Sequence, residues 1–209
     1  MTDRWTLLGG TFDPIHNGHL AIIEQARDLL GAAAWLVVAD HHSLRTAPAA
    51  PPEVRLHMAQ VAVADREIAV TDVELRRGGV SYTIDTAEAL ARDHPGVEMS
   101  FVLGADAART VQAWHRSADL LATARFVIVN RHGAARLDVG EARELGFSPE
   151  RTRLLAVESP AISATDIRRR VAAGASIDEM VPPAVAAIIA ERGLYGYRQD
   201  RADAIMGTG

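Results

Sequence analysis

The chain has 209 residues, 48% hydrophobic and 23% charged, with a net charge of −5. That is enough for one domain with a real core, in an ordinary globular balance. The absence of cysteine excludes disulfides and Cys-ligated zinc or iron–sulfur centres, and an acidic chain without a basic block speaks against a broad nucleic-acid face.

In chain order, Trp5-Thr6-Leu7-Leu8 reads as a buried strand running into Gly9-Gly10. Leu20, Ile23, Arg27 and Leu30 recur at helical spacing, with Gly31 at the position of a C-terminal cap. Ala34 to Val38 is a second buried strand. A Pro/Ala-rich loop from Pro48 to Pro52 precedes a helix over about 53–64, and Ile68 to Val73 is a third strand. The stretch from Thr83 to Asp93 reads as a helix stopped near Pro95-Gly96. Met99 to Leu103, Phe126 to Val129 and Leu154 to Val157 are further apolar strands, and helices are expected at about 163–173 and 183–192. Strands with continuous apolar runs, alternating with helices, predict a parallel sheet covered on both faces. The expected fold class is therefore α/β: a Rossmann-like, doubly wound, three-layer α/β/α domain over residues 1–197. Its short C-terminal helical region spans about 160–197, and a disordered tail is expected from residue 198. No apolar stretch near Met1 has signal-peptide length and no run of about 18 apolar residues occurs. A cytoplasmic protein without membrane association is expected.

The densest chemical signal is Gly9-Gly10-Thr11-Phe12-Asp13-Pro14-Ile15-His16-Asn17-Gly18-His19, between the first strand and the first helix. Ligands of open α/β sheets bind at that end. Glycines there let the backbone approach a phosphate closely. Asn17 is the expected N-cap, and the start of the helix offers free amides and a positive dipole end to an anion. His16 and His19 flank it and can donate to phosphate oxygens, most strongly if protonated. A His–His metal site is the weaker alternative, since no third ligand lies nearby in sequence.

A second segment, Ile162-Ser163-Ala164-Thr165-Asp166-Ile167-Arg168, opens another helix. Ser163 can cap it, with Asp166 at the third helical position, while Ile167 and Val171 point inward. Arg168 brings a fixed charge and several donors. Taken alone, a Ser-capped helix followed by Arg is commonplace. Leu103-Gly104-Ala105-Asp106 ends a central strand. Gly104 permits close approach of a flat ligand, and Asp106 can accept from a ribose hydroxyl; a plain turn with Asp106 as N-cap is the alternative.

The first segment resembles the histidine-containing phosphate motif of the nucleotidylyltransferase superfamily. From about residue 6 to residue 195 the chain resembles one member family, the bacterial nicotinate mononucleotide adenylyltransferases. The resemblance implies ATP binding by Gly9, Gly10, Thr11, Phe12, His16, His19, Gly104, Asp106, Arg131, Ile162, Ser163, Thr165 and Arg168. In the family the Ile-Ser-x-Thr-x-Ile-Arg element grips the β- and γ-phosphates, and Leu-Gly-x-Asp serves adenosine. It also implies an acceptor pocket of Tyr82, Thr83, Trp114 and His115. There the Trp stacks on a pyridine ring, and Thr and nearby amides meet its carboxylate; simple core packing is the alternative for Trp114.

Two departures from the family touch that pocket. A Pro-Pro-His-Lys-like element is replaced by Ala39-Asp40-His41-His42-Ser43-Leu44-Arg45, so Arg45 or the histidine pair stands where a Lys is usual. Ser117 takes the place of a second aromatic after Trp114.

The resemblance implies transfer of AMP from ATP to nicotinate mononucleotide, giving deamido-NAD and pyrophosphate. No covalent nucleophile is evident. His16, His19 and Arg168 are the expected catalytic residues, with Mg²⁺ on the phosphates and no protein metal site. The partners expected are ATP and a mononucleotide, with no nucleic acid; a homo-oligomer is left open. Rival readings are the same chemistry on another small phosphate, such as nicotinamide mononucleotide, and a non-catalytic nucleotide-binding regulator. A Rossmann dehydrogenase is disfavoured, because Gly-x-Gly-x-x-Gly does not follow the first strand.

Overall fold

The computed structural model describes residues 3–42, 47–131 and 135–198. Six parallel strands form the main sheet: β1 (Arg4–Gly10), β2 (Ala33–Val38), β4 (Ile68–Thr71), β6 (Glu98–Gly104), β7 (Arg125–Arg131) and β8 (Thr152–Val157). Their order across the sheet is β4-β2-β1-β6-β7-β8. The chain builds outward from β1 to one edge, then returns and builds from β6 to the other. This is the doubly wound order the alternating pattern implies.

The strands are apolar along their length because helices cover both faces. Leu8, Leu36, Val38, Val102, Val127 and Val129 point to one buried cluster, shared with α1 (Asn17–Leu30), α2 (Pro52–Ala62), α8 (Ala164–Ala173) and α9 (Pro183–Glu191). Their neighbours Leu7, Val37, Phe101, Leu103, Phe126 and Ile128 point to the other. That second cluster is closed by α3 (Val73–Arg77), α4 (Thr83–Asp93), α5 (Ala105–Arg109), α6 (Ser117–Thr123) and α7 (Val139–Glu144). Period-two alternation thus feeds two cores at once. Each fully buried Leu, Ile or Phe is worth about 1.5–3 kcal/mol.

Several elements differ from the sequence reading. The third strand stops at Thr71 rather than Val73. Asp72 turns the chain into α3, where the Thr71 hydroxyl accepts from the Val73 amide at 3.3 Å and Val73 is buried. The helices α3, α5, α6 and α7 have 5–7 residues, too few turns for a hydrophobic period to declare itself. A separate parallel pair, β3 (His41–His42) with β5 (Val80–Ser81), was not read at all. Of the tail expected to be disordered, 198–209, all but its first residue lies outside the described residues. Among the described residues no helix is long and apolar enough to cross a membrane.

One charged side chain belongs to the fold. Arg55 of α2 is 1% exposed and sits on the helix face shared with Met58, Ala59 and Ala62. Its guanidinium donates to four main-chain oxygens: Thr11 and Ala39 at 2.6 Å, Asp40 at 2.7 Å and Ala50 at 3.1 Å. Burial lowers its pKa, and the carboxylates of Asp13 and Asp40 oppose that. It ties the loop after β1, the end of β2 and the start of α2 into one unit, satisfying carbonyls that a loop leaves over.

Arg55→Leu removes the donor from all four oxygens, of which those of Ala39 and Ala50 are buried. It is expected to cost about 3–5 kcal/mol of unfolding free energy, read from urea denaturation. A loss below about 1 kcal/mol would mean that water replaces the guanidinium there.

Candidate active site

The strand order reverses between β1 and β6, so a crevice opens at their carboxyl ends. Gly9-Gly10, Gly104 and Arg131 are the last residues of β1, β6 and β7. The Arg131 guanidinium lies over Gly104: a Cβ there would stand 3.6 Å from Nη2.

The first motif folds tightly around two rings. A Cβ on Gly10 would come within 3.0 Å of the Phe12 ring. Phe12 has a left-handed backbone (φ 47°) and is buried, and its ring meets His19 edge-on at 5.1 Å. A Cβ on Gly9 would stand in open space, so protein packing does not demand glycine there. The N-cap of α1 is His16, not Asn17. Asn17 is the first helical residue, and its amide and side chain are spent on the carbonyls of Met180 and Glu179, both at 2.9 Å. The expected cap fails because the Asn17 side chain is turned to the 179–180 turn, where its amide nitrogen donates, and the helix already starts at Asn17. His16 and His19, one helical turn apart, stack with centroids 3.6 Å apart and planes 20° from parallel. Gly18 allows this, since a Cβ would approach His16 Nδ1 at 3.1 Å.

His16 is 5% exposed. Burial first, and the charge of Arg131 second, lower its pKa from 6.5 to about 4. At neutral pH it is a neutral donor, beside the charged guanidinium of Arg131.

The second motif arrives from α8. Ser163 caps that helix, accepting from the Asp166 amide at 3.1 Å, and Ile167 and Val171 are buried as expected. Ile162 packs against the first core cluster. Of the three consecutive arginines, Arg169 pairs with Asp166 and Arg170 donates to the Ser176 carbonyl at 3.0 Å. Arg168 alone turns to the first motif: its Nη1 donates to the Asp13 carbonyl at 2.7 Å, and its Nη2 to the Thr165 hydroxyl at 3.4 Å. The Asp13 carboxylate is 4% exposed. It accepts from the amides of Ala49 at 2.7 Å and Ala50 at 3.0 Å, and from the Tyr195 hydroxyl at 2.8 Å. Asp106 is exposed and lies 3.6 Å from Arg109, whose guanidinium also grips Glu141.

A second group of predicted residues gathers on the other side of the sheet. Tyr82 caps α4 and Thr83 begins it. The Tyr82 ring lies 4.4 Å from that of His115. Trp114, half-buried against the second core cluster, donates from Nε1 to the Thr110 hydroxyl at 3.0 Å. Arg116 joins this loop to α4 through Glu88 at 2.8 Å. Pairing of His41 with Val80, and the Asp40 amide on Ser81 Oγ at 3.2 Å, brings the end of β2 beside the same segment. Arg45 lies outside the described residues.

The cytidylyltransferase-like family profile matches residues 7–170. A "Probable nicotinate-nucleotide adenylyltransferase" of Roseiflexus sp. is 42% identical over 194 residues, covering 90% of this chain and 96% of that protein. One of Herpetosiphon aurantiacus is 38% identical over 197 residues, covering 92% and 98%. The chain belongs to the nicotinate-nucleotide adenylyltransferase family. A solved nicotinic acid mononucleotide adenylyltransferase of Plasmodium falciparum, complexed with NaAD, shares the fold at a TM-score of 0.80. It is 20% identical, and the match covers 94% of this chain and 98% of that one.

Three residues that hold the site, Asp13, Arg55 and Tyr195, carry no role in the sequence motifs. Arg55 could have been noticed as a charge at a core position of the α2 period. Asp13 stood inside the motif without a role, and nothing local marks Tyr195.

The buried imidazole makes stability pH-dependent. Unfolded, His16 binds its proton near pH 6.5; folded, only near 4. Between those values the unfolded state holds the extra proton. Stability is therefore full above 6.5 and falls as pH drops, by about 1.4 kcal/mol per unit. His16→Gln should flatten that part of the profile in urea midpoints taken from pH 4.5 to 7. Parallel slopes in both proteins would exclude His16 as the cause.

Proposed function

We propose that the protein transfers the AMP half of ATP to the phosphate of nicotinate mononucleotide, forming deamido-NAD and pyrophosphate. The observation that carries this reading is the contact of Arg168 with Asp13 at 2.7 Å. It brings the start of α8 to the loop that holds His16 and His19, so a polyphosphate in the crevice meets both motifs.

An oxygen of the acceptor phosphate attacks the α-phosphorus of ATP. The bond from that phosphorus to the bridging oxygen breaks, and pyrophosphate leaves with its electron pair. The acceptor is already anionic at neutral pH, so no general base and no covalent intermediate are needed. The protein aligns the two phosphates and stabilises the charge that develops. His16 and His19 serve the α- and β-phosphates as N–H donors, and Arg131 adds positive charge beside them. Ser163, Thr165 and Arg168 hold the departing pyrophosphate; Gly104 and Asp106 serve the adenosine. Tyr82, Thr83, Trp114 and His115 take the acceptor, the indole offering a face to an electron-poor ring.

Mg²⁺ fits as the counter-ion of the triphosphate. Among the described residues no three His, Asp or Glu side chains gather as a metal cluster, and both Asp13 oxygens already have protein donors. When bound, the ion neutralises phosphate charge.

A pyrophosphate-release assay with ATP, Mg²⁺ and a panel of acceptors tests the reading. Turnover is expected with nicotinate mononucleotide; product only with another phosphate would change the acceptor, and none with any acceptor would leave a nucleotide-binding regulator. His19→Ala should lower kcat by roughly 10²–10³. Trp114→Ala should raise the acceptor KM by roughly tenfold, the scale of one lost ring contact, while the KM for ATP stays within about twofold. Equal changes in both would place Trp114 in the core rather than the pocket.

A further inference from the structure

We propose that Tyr195 is a positioning residue for the triphosphate site: it fixes Asp13, whose carbonyl oxygen in turn fixes the Arg168 guanidinium. This rests on the reading that Arg168 binds ATP phosphates, and adds to it a residue from the C-terminal turn.

Arg168 reaches the site on a long, flexible stem, and such a side chain binds weakly if it must first be ordered. What orders it is the Asp13 carbonyl at 2.7 Å, with Oδ2 of the same residue 3.7 Å away. Asp13 is held from three sides. Two of its side-chain donors are amides of the loop before α2. The third is the phenol of Tyr195, 182 residues further along the chain, at 2.8 Å on Oδ1. Burial first, and the Asp13 charge second, push the Tyr195 pKa up. The phenol therefore keeps its proton at any working pH and always donates.

The turn that presents Tyr195 is built at a cost. Gly193, Tyr195 and Gly196 are all left-handed, at φ 59°, 56° and 78°. For tyrosine that conformation costs about 1–2 kcal/mol. Strain of this kind persists where surrounding contacts fix it and concentrates at functional sites. Here the phenol ends on the active-site loop, where Phe12, next to Asp13, is also left-handed. The same turn rests on α8, with a Cβ at Gly196 standing 3.8 Å from the Ala172 Cβ. Helix α8 is thus fixed to Asp13 twice: at its middle by Arg168, and near its end through the turn and Tyr195.

The test is a double-mutant cycle on ATP affinity. ATP with Mg²⁺ and no acceptor is titrated by calorimetry into the parent, Tyr195→Phe, Arg168→Gln and the double variant, with melting temperatures measured alongside. Tyr195→Phe removes one hydroxyl and keeps the ring that packs on the core. We expect Tyr195→Phe to weaken ATP binding about five- to tenfold in the parent and less than twofold in the Arg168→Gln background. An equal loss in both backgrounds, or a lowered melting temperature with ATP affinity unchanged, overturns the role of Tyr195 while leaving Arg168 in place. Unchanged affinity in Arg168→Gln removes Arg168 from the ATP site, and this proposal with it.

Discussion

Arg168 and Asp13 lie 155 residues apart in the chain and meet in one hydrogen bond. Each helix start is by itself a weak anion site, a few amides and a partial charge. In the proposed function two of them face one crevice with a guanidinium fixed between, so that a polyphosphate is held along its length. The bond uses a main-chain oxygen, so its direction is set by the backbone of the β1–α1 loop rather than by a mobile side chain. Much of the polar structure at this end of the sheet exists to hold that loop. Arg55 secures its Thr11 carbonyl from beneath, and Asp13 takes donors from three other segments or turns.

Charge at the site is divided in a way suited to phosphoryl chemistry. His16 is too buried to be cationic at neutral pH, and it stacks on His19 at 3.6 Å, where two imidazolium rings would repel. His16 is therefore a neutral N–H donor, and permanent charge beside it is left to arginine, which cannot lose it. Donors fixed before the reaction need no reorganisation when charge moves to the leaving group. The residues proposed for the acceptor stand apart from those proposed for the phosphates, on the segments after β5 and α5.

Much of this was legible in the residues. The long strands announced themselves because they are buried on both faces, and Gly31 and Ser163 cap their helices as their types suggest. The His16–His19 motif and the Arg168 motif were visible as dense local patterns. Short helices such as α5 and the β3–β5 pair are not, since elements of two to five residues are too short to show a period. Asn17 was misread as a cap because a residue type can be judged only against its local neighbours, and the competing carbonyls come from Glu179 and Met180.

By itself, the sequence determined the α/β alternation, the family and the two phosphate motifs, because these rest on spacing within a few turns of chain. The tertiary structure alone decided which of Arg168, Arg169 and Arg170 faces the site, that His16 is neutral, and that Arg55 and Tyr195 support the motif loop. Those properties depend on burial and on partners up to 182 residues away, and free energies of that kind arise only once the chain has closed on itself.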